Sequence, residues 1–150
     1  MKKKIVIMGV GNIFKGDDGA GVIIAENLKK KIKRKDVEII NAESTPENWI
    51  GKIEKISPET LIIIDAVDFN SFPGDVKTFS IDEIEETTFT THNFSFPFLF
   101  RNLKEKTEIL IIGIQPGKIN IKEGISEEVK KGMEKAEEII KSILKKKREK

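Results

Sequence analysis

The sequence contains no cysteine, no tyrosine and a single histidine, His92, among its 150 residues. Without cysteine there is no disulfide framework, no thiolate zinc site, no iron–sulfur cluster and no thiol nucleophile. Without tyrosine there is no phenolic acid or base. A metal site built by this chain must draw on carboxylates, carbonyls and at most one imidazole. No apolar run approaches the roughly 18 residues of a membrane span. The opening MKKKIVIMGVGN resembles a secretion signal only in its charge and short apolar stretch; no small-residue cleavage site follows, and Gly16, Asp17 and Asp18 come soon after. A cytoplasmic protein without membrane insertion is expected. One-signed charge is lacking too. The 27 Lys+Arg and 25 Asp+Glu leave a net +2, interleaved through most of the chain, so no nucleic-acid surface is expected. The basic tail LKKKREK reads as a solvated helix end whose lysines suit the helix dipole.

What is present alternates between strand and helix signals. Lys4–Gly9 is a short apolar run closed by glycine, and Leu61–Ile64, ending at Asp65, and Glu108–Ile114 are similar buried runs. Val37–Ile40 and Val76–Phe79 complete a predicted set of about five strands, the latter expected at an edge. Between them, Ala20, Ile24 and Leu28 recur at helical spacing after a possible cap at Asp17. Thr45-Pro46 provides a cap and a first-turn proline before Trp49, Ile50, Ile53 and Ile56. Asn93 precedes a short helix with Phe96, Leu99, Phe100 and Leu103, and Ser126 precedes a last helix with Val129, Met133, Ala136, Ile140, Ile143 and Leu144 inward. The pattern predicts one domain, residues 1–150, of α/β class: a three-layer α/β/α sandwich with a twisted, mostly parallel sheet and helices on both faces.

In such sheets, sites form beyond the carboxyl ends of the parallel strands. Asn12, Asp17 and Asp18 follow the first strand, Asp65 and Asp68 the third, and Gln115 the last. The segment Thr90-Thr91-His92-Asn93 lies between the later elements and is placed to fold over that edge. Two carboxylates and an imidazole suit zinc, nickel or iron(II) with positions left open, or serve as an acid/base set without metal. Each residue also has a plainer reading. Asp17 or Asp18 can cap a helix, Asp65 can bond a neighbouring loop, Asp68 can make a turn, and a lone histidine is commonly an ordinary surface residue. The phenylalanines at 69, 72, 79, 89, 94, 96, 98 and 100 are expected mainly in core and loop packing. The GVGN turn invites a dinucleotide reading, but G-x-G-x-x-G requires glycine where Phe14 stands, and Asp17 and Asp18 would set like charge against a phosphate. No G-x-S-x-G elbow occurs.

GVGNIFKGDDGAG, IIIDAVDFNSFPGDV, TTHN and GIQP, with Ser44, Pro46, Glu47 and Asn48 between the first two, run in one order along most of the chain. In this the sequence resembles the maturation endopeptidases of nickel–iron hydrogenases, and within them the subgroup serving formate-hydrogenlyase-type enzymes. The resemblance implies a twisted sheet between helices. It implies removal of a C-terminal extension from the precursor of the hydrogenase large subunit after nickel insertion. The nickel would be supplied by the precursor and serve as recognition element, with no tightly bound cofactor of the protein's own. The family's metal-contacting and catalytic positions fall on Asp18, Asp65 and His92. Asn12, Asp17, Asp68, Asn93 and Gln115 become positioning candidates beside them. The alternatives are a non-catalytic metal- or nucleotide-binding module and a chaperone-like partner that docks on a hydrogenase subunit through exposed phenylalanines.

Overall fold

A computed structural model of the protein describes residues 4–85, 96–117 and 124–148. Five strands, β1 (Ile5–Gly9), β2 (Val37–Asn41), β3 (Thr60–Ala66), β4 (Val76–Ser80) and β5 (Glu108–Ile114), form one sheet in the order β2-β1-β3-β5-β4. β1 pairs in parallel with β2 and β3, and β3 with β5; β4 closes one edge antiparallel to β5. The buried runs of the sequence are therefore the central parallel strands, and β4 lies at an edge.

Strand side chains alternate between two cores. Val6, Met8, Leu61, Ile63 and Ile111 meet α2 (Ile50–Ile56), α3 (Ile81–Glu85) and α4 (Phe96–Leu99) on one face. Ile5, Ile7, Ile62, Ile64 and Ile112 meet α1 (Ala20–Lys31) and α5 (Glu127–Arg148) on the other. Of the expected inward residues of both long helices, Ala20, Ile24 and Leu28 in α1 and Val129, Met133, Ala136, Ile140 and Leu144 in α5 are buried, and Ile143 is half-buried against the same core. Burial of each large aliphatic side chain contributes about 1.5–3 kcal/mol. Lys31 and Asn27 of α1 also reach Glu137 of α5, at 2.8 and 3.3 Å.

The helix starts differ from the expected caps. Asp17 does not cap the helix after it. A 3₁₀ turn, Gly16–Gly19, intervenes, and neither it nor α1 has a side-chain cap. Thr45 precedes Pro46 as expected, but its hydroxyl donates to the Ala42 carbonyl, and the chain enters α2 through a 3₁₀ turn, Pro46–Trp49. Ser126 stands immediately before α5. Asn93, the expected cap of α4, lies outside the described residues. Helix α3 was not expected. Its start is a reciprocal capping box, in which Ser80 N–H donates to Glu83 Oε1 at 2.9 Å and Glu83 N–H to Ser80 Oγ at 3.3 Å.

Helix α1 rests on the sheet through a backbone contact. A Cβ at Gly21 would collide with the carbonyl oxygens of Ile64 and Val10. That approach brings the start of α1 against the ends of β1 and β3, where the candidate site lies.

Candidate active site

The strand order reverses between β1 and β3. Beyond β1 the chain crosses to β2 through α1, whereas β3 neighbours β5 on its other side. Such a switch point opens a crevice at the carboxyl ends of the strands. Asp18 follows β1 and Asp65 is the penultimate residue of β3, so both carboxylates belong to this carboxyl edge of the sheet, and the Gly16–Gly19 turn packs on β3. Both are almost fully buried, at 4% and 0% exposure. Carboxylates seldom reach that depth without specific partners.

The loop after β1 is organised around Asp18. Asn12 N–H donates to Asp18 Oδ2 at 3.1 Å and also faces the Asp18 carbonyl at 3.3 Å. Asn12 Oδ1 in turn accepts Phe14 N–H at 2.9 Å. Gly11, at φ +152°, lets the loop close, since a Cβ there would strike the Asp18 carbonyl oxygen. Asp65 Oδ1 accepts Ala66 N–H at 2.8 Å. Strand alternation sets Asp65 on the face of Ile63 and Val67, the face on which Phe96 of α4 is buried. His92 and Asn93 precede α4 in the chain and lie outside the described residues. Among the described residues no three His, Asp or Glu side chains are grouped to hold a metal ion. Asp18 and Asp65 carry carboxylate oxygens, a donor type that borderline divalent ions accept.

Asp17 faces away from its own helix. Its Oδ1 accepts Ser126 N–H at 2.8 Å, and its Oδ2 accepts Gly117 N–H at 2.9 Å and the Ser126 hydroxyl at 3.0 Å. It closes the N-terminus of α5, more than a hundred residues along the chain, and a carboxylate there also suits the helix dipole. Because Asp17 and Asp18 are adjacent, this clamp fixes the turn from which Asp18 projects.

Gln115 and Asp68 hold the loop after β3. Gln115 Oε1 accepts Phe69 N–H at 2.8 Å and Ser71 N–H at 3.1 Å, while Gln115 Nε2 donates to Asp68 Oδ1 at 3.1 Å. Asp68 also accepts Asn70 N–H, the expected turn, and these two bonds hold its carboxyl below the usual carboxylate range. Asp75 is lowered likewise by the Ser71 hydroxyl and the Phe72 amide. Beside the crevice, a cleft of about 410 Å³ runs between the loops after β1 and β2, lined by Asn12, Ile13, Phe14, Asn41, Glu43 and Thr45 among others. Four of the eight expected packing phenylalanines behave as such: Phe79, Phe96 and Phe100 are buried, and Phe69 meets Phe79 edge-on at 5.6 Å. Phe72 and Phe98 are exposed, and Phe89 and Phe94 lie outside the described residues. A phosphate-cradling helix start is not offered here, because Asp17 and Asp18 occupy it.

Residues 22–143 match the model of the hydrogenase maturation protease family. The chain is 36% identical over 131 residues to the hydrogenase 3 maturation protease of Escherichia coli K12, covering 86% of this chain and 83% of that protein. Its fold is similar to the crystal structure of a nickel–iron hydrogenase maturation protease, HycI, from Thermococcus kodakarensis, with a TM-score of 0.83 and 35% identity over 96% of this chain and 94% of that one. It is also similar to the solution structure of the endopeptidase HycI from Escherichia coli, with a TM-score of 0.77 and 33% identity over 90% and 87% of the two chains.

Proposed function

The chain belongs to the hydrogenase maturation protease family, a family of endopeptidases, and on that premise we propose that it removes a C-terminal extension from a nickel–iron hydrogenase large-subunit precursor once nickel has been inserted. The observation that carries this reading is the pair of buried carboxylates, Asp18 and Asp65, both at the carboxyl edge of the sheet.

In this reading nickel arrives with the substrate. Asp18, Asp65 and His92 are the donors that meet it, so a loaded precursor gains contacts that an empty one lacks. A checkpoint needs that difference in affinity between the two states. The same carboxylates stand where the scissile segment would lie, and a carboxylate there can take the proton of an attacking water. Asn12, Asp17, Asp68, Asn93 and Gln115 are assigned to positioning. Asn12 and Asp17 hold the Asp18 turn, and Asp68 and Gln115 hold the loop beyond Asp65. The reaction is placed in the cytoplasm. Among the described residues no helix is long and apolar enough to cross a membrane.

The test is a processing assay on single-residue variants. Asp18→Asn, Asp65→Asn and His92→Ala are expected to keep the circular dichroism spectrum and to lose processing by about a hundredfold or more. Normal processing by His92→Ala would remove that residue from the site. Loss confined to Asp17→Asn would move the role of Asp18 to its neighbour.

A further inference from the structure

Charge of one sign gathers at the far end of α1. Lys31, Lys33 and Arg34 at that end, with Lys141 and Lys145 of α5, line a single cavity of about 370 Å³. No acid lines it, and Ile32 and Leu144 complete its wall. α1 begins beside the Asp18 turn and runs for 12 residues, so the cavity lies roughly 18 Å along the helix from that turn. We propose that this cavity binds an oligophosphate anion, at a site separate from the carboxylate crevice.

Only part of this charge has a structural use. Lys31 meets Glu137 at 2.8 Å, and Arg34 holds Asp36 through Nε and Nη2 at 3.0 and 2.8 Å. Lys33 donates to the Lys29 carbonyl at 2.9 Å, an ordinary role at a helix end. Lys141 and Lys145 form no ion pair among the described residues. They stand four apart on one face of α5, where like charges repel. Lys141 is also about two turns short of the end of α5, too far in for the helix dipole to favour it. The walls that carry these charges are tied together, because Arg34 Nη1 donates to the Leu144 carbonyl at 2.7 Å. Cations fixed around a partly apolar wall concentrate anions between them. The donor types narrow the ligand. The bidentate edge of Arg34, which would select a planar carboxylate, is taken by Asp36. What remains are lysine ammonium groups, compact point charges that suit the dense charge of linked phosphates.

Isothermal titration calorimetry of the whole chain with sodium tripolyphosphate at low ionic strength tests this. One saturable site is expected, weakened about tenfold in Lys141→Gln/Lys145→Gln and progressively weakened by added salt. Lys55→Gln/Lys131→Gln removes the same charge from exposed lysines outside the cavity and should bind as the wild type does. Melting temperatures check that each variant is folded, and Lys33→Gln, expected to weaken binding about threefold, replaces the first pair if it is not. Titration with ATP separates the sources: ATP no tighter than tripolyphosphate means that the phosphate chain alone is recognised, and tighter ATP assigns the site to a nucleotide. Absence of saturable binding by either anion overturns the proposal. Equal weakening by the two lysine pairs reduces the effect to net charge and overturns it as well. Duplex DNA that binds where tripolyphosphate does not saturate makes this end a nucleic-acid surface, again overturning it.

Discussion

Replacing Asp17 by alanine withdraws one acceptor group from three donors at once. The Ser126 amide, the Ser126 hydroxyl and the Gly117 amide all end on its carboxylate, at 2.8, 3.0 and 2.9 Å. A hydrogen bond to a charged group contributes about 1.5–3 kcal/mol when it is buried. Asp17 is 2% exposed, whereas Gly117 is exposed and Ser126 half-buried, so water restores part of what those donors lose. Loss of the negative charge at the start of α5 adds about 0.3–1 kcal/mol. A total of about 3 kcal/mol follows, or a fall in melting temperature of about 6–12 °C for a chain of this size. Asp17→Asn keeps one acceptor oxygen and should cost about half as much. Guanidinium unfolding followed by circular dichroism measures both. Ser126→Ala supplies the control, because it shares the clamp. The double variant Asp17→Ala/Ser126→Ala should fall short of the summed single losses by about 1 kcal/mol. A cost at or below about 1 kcal/mol for Asp17→Ala, with the double variant strictly additive, is what a solvated local helix cap would give, and it would refute the clamp.

Gly21→Ala should destabilise the fold by about 1–3 kcal/mol or more, since its Cβ meets the Ile64 and Val10 carbonyl oxygens; wild-type stability in thermal melting would contradict the close approach of α1. Gln115→Ala should cost about 2 kcal/mol and speed hydrogen exchange at the Phe69 and Ser71 amides, with unchanged exchange counting against the loop anchor. Asp68 and Asp75 have carboxyl groups lowered in the folded state, so their contribution is present above the ordinary carboxylate range and lost as pH falls through their folded values. The loop between them should therefore loosen at acid pH before the sheet unfolds, as read by amide exchange at Ser71 and Phe72; simultaneous loss of loop and sheet protection would contradict this.

The parallel strands were legible because strands covered on both faces must be apolar without interruption, as Leu61–Ile64 and Ile109–Ile112 are. The long helices were legible from their inward stripes. Helix α3 escaped because five residues carry too little periodicity. Its signal was the Ser80–Glu83 spacing, a pattern readable in the sequence. Asp17 was misread for a different reason. Local capping logic pairs an acid with the helix that follows it, whereas its partners stand at Gly117 and Ser126, where no sequence-local rule looks. The edge on which Asp18 and Asp65 gather followed from strand order alone. Their depth and the bond from Asn12 to Asp18 needed the folded chain. His92 and Asn93 rest on the sequence pattern, since they lie outside the described residues.

The central claim is tested most directly by intact-mass measurement of a cognate large-subunit precursor incubated with the protein, with and without nickel in the precursor. The account predicts a C-terminal mass loss in the nickel-loaded sample alone. Equal mass loss in both samples would contradict nickel as the gate. No loss in either, with both proteins folded and bound to each other, would contradict the endopeptidase assignment and leave a docking partner.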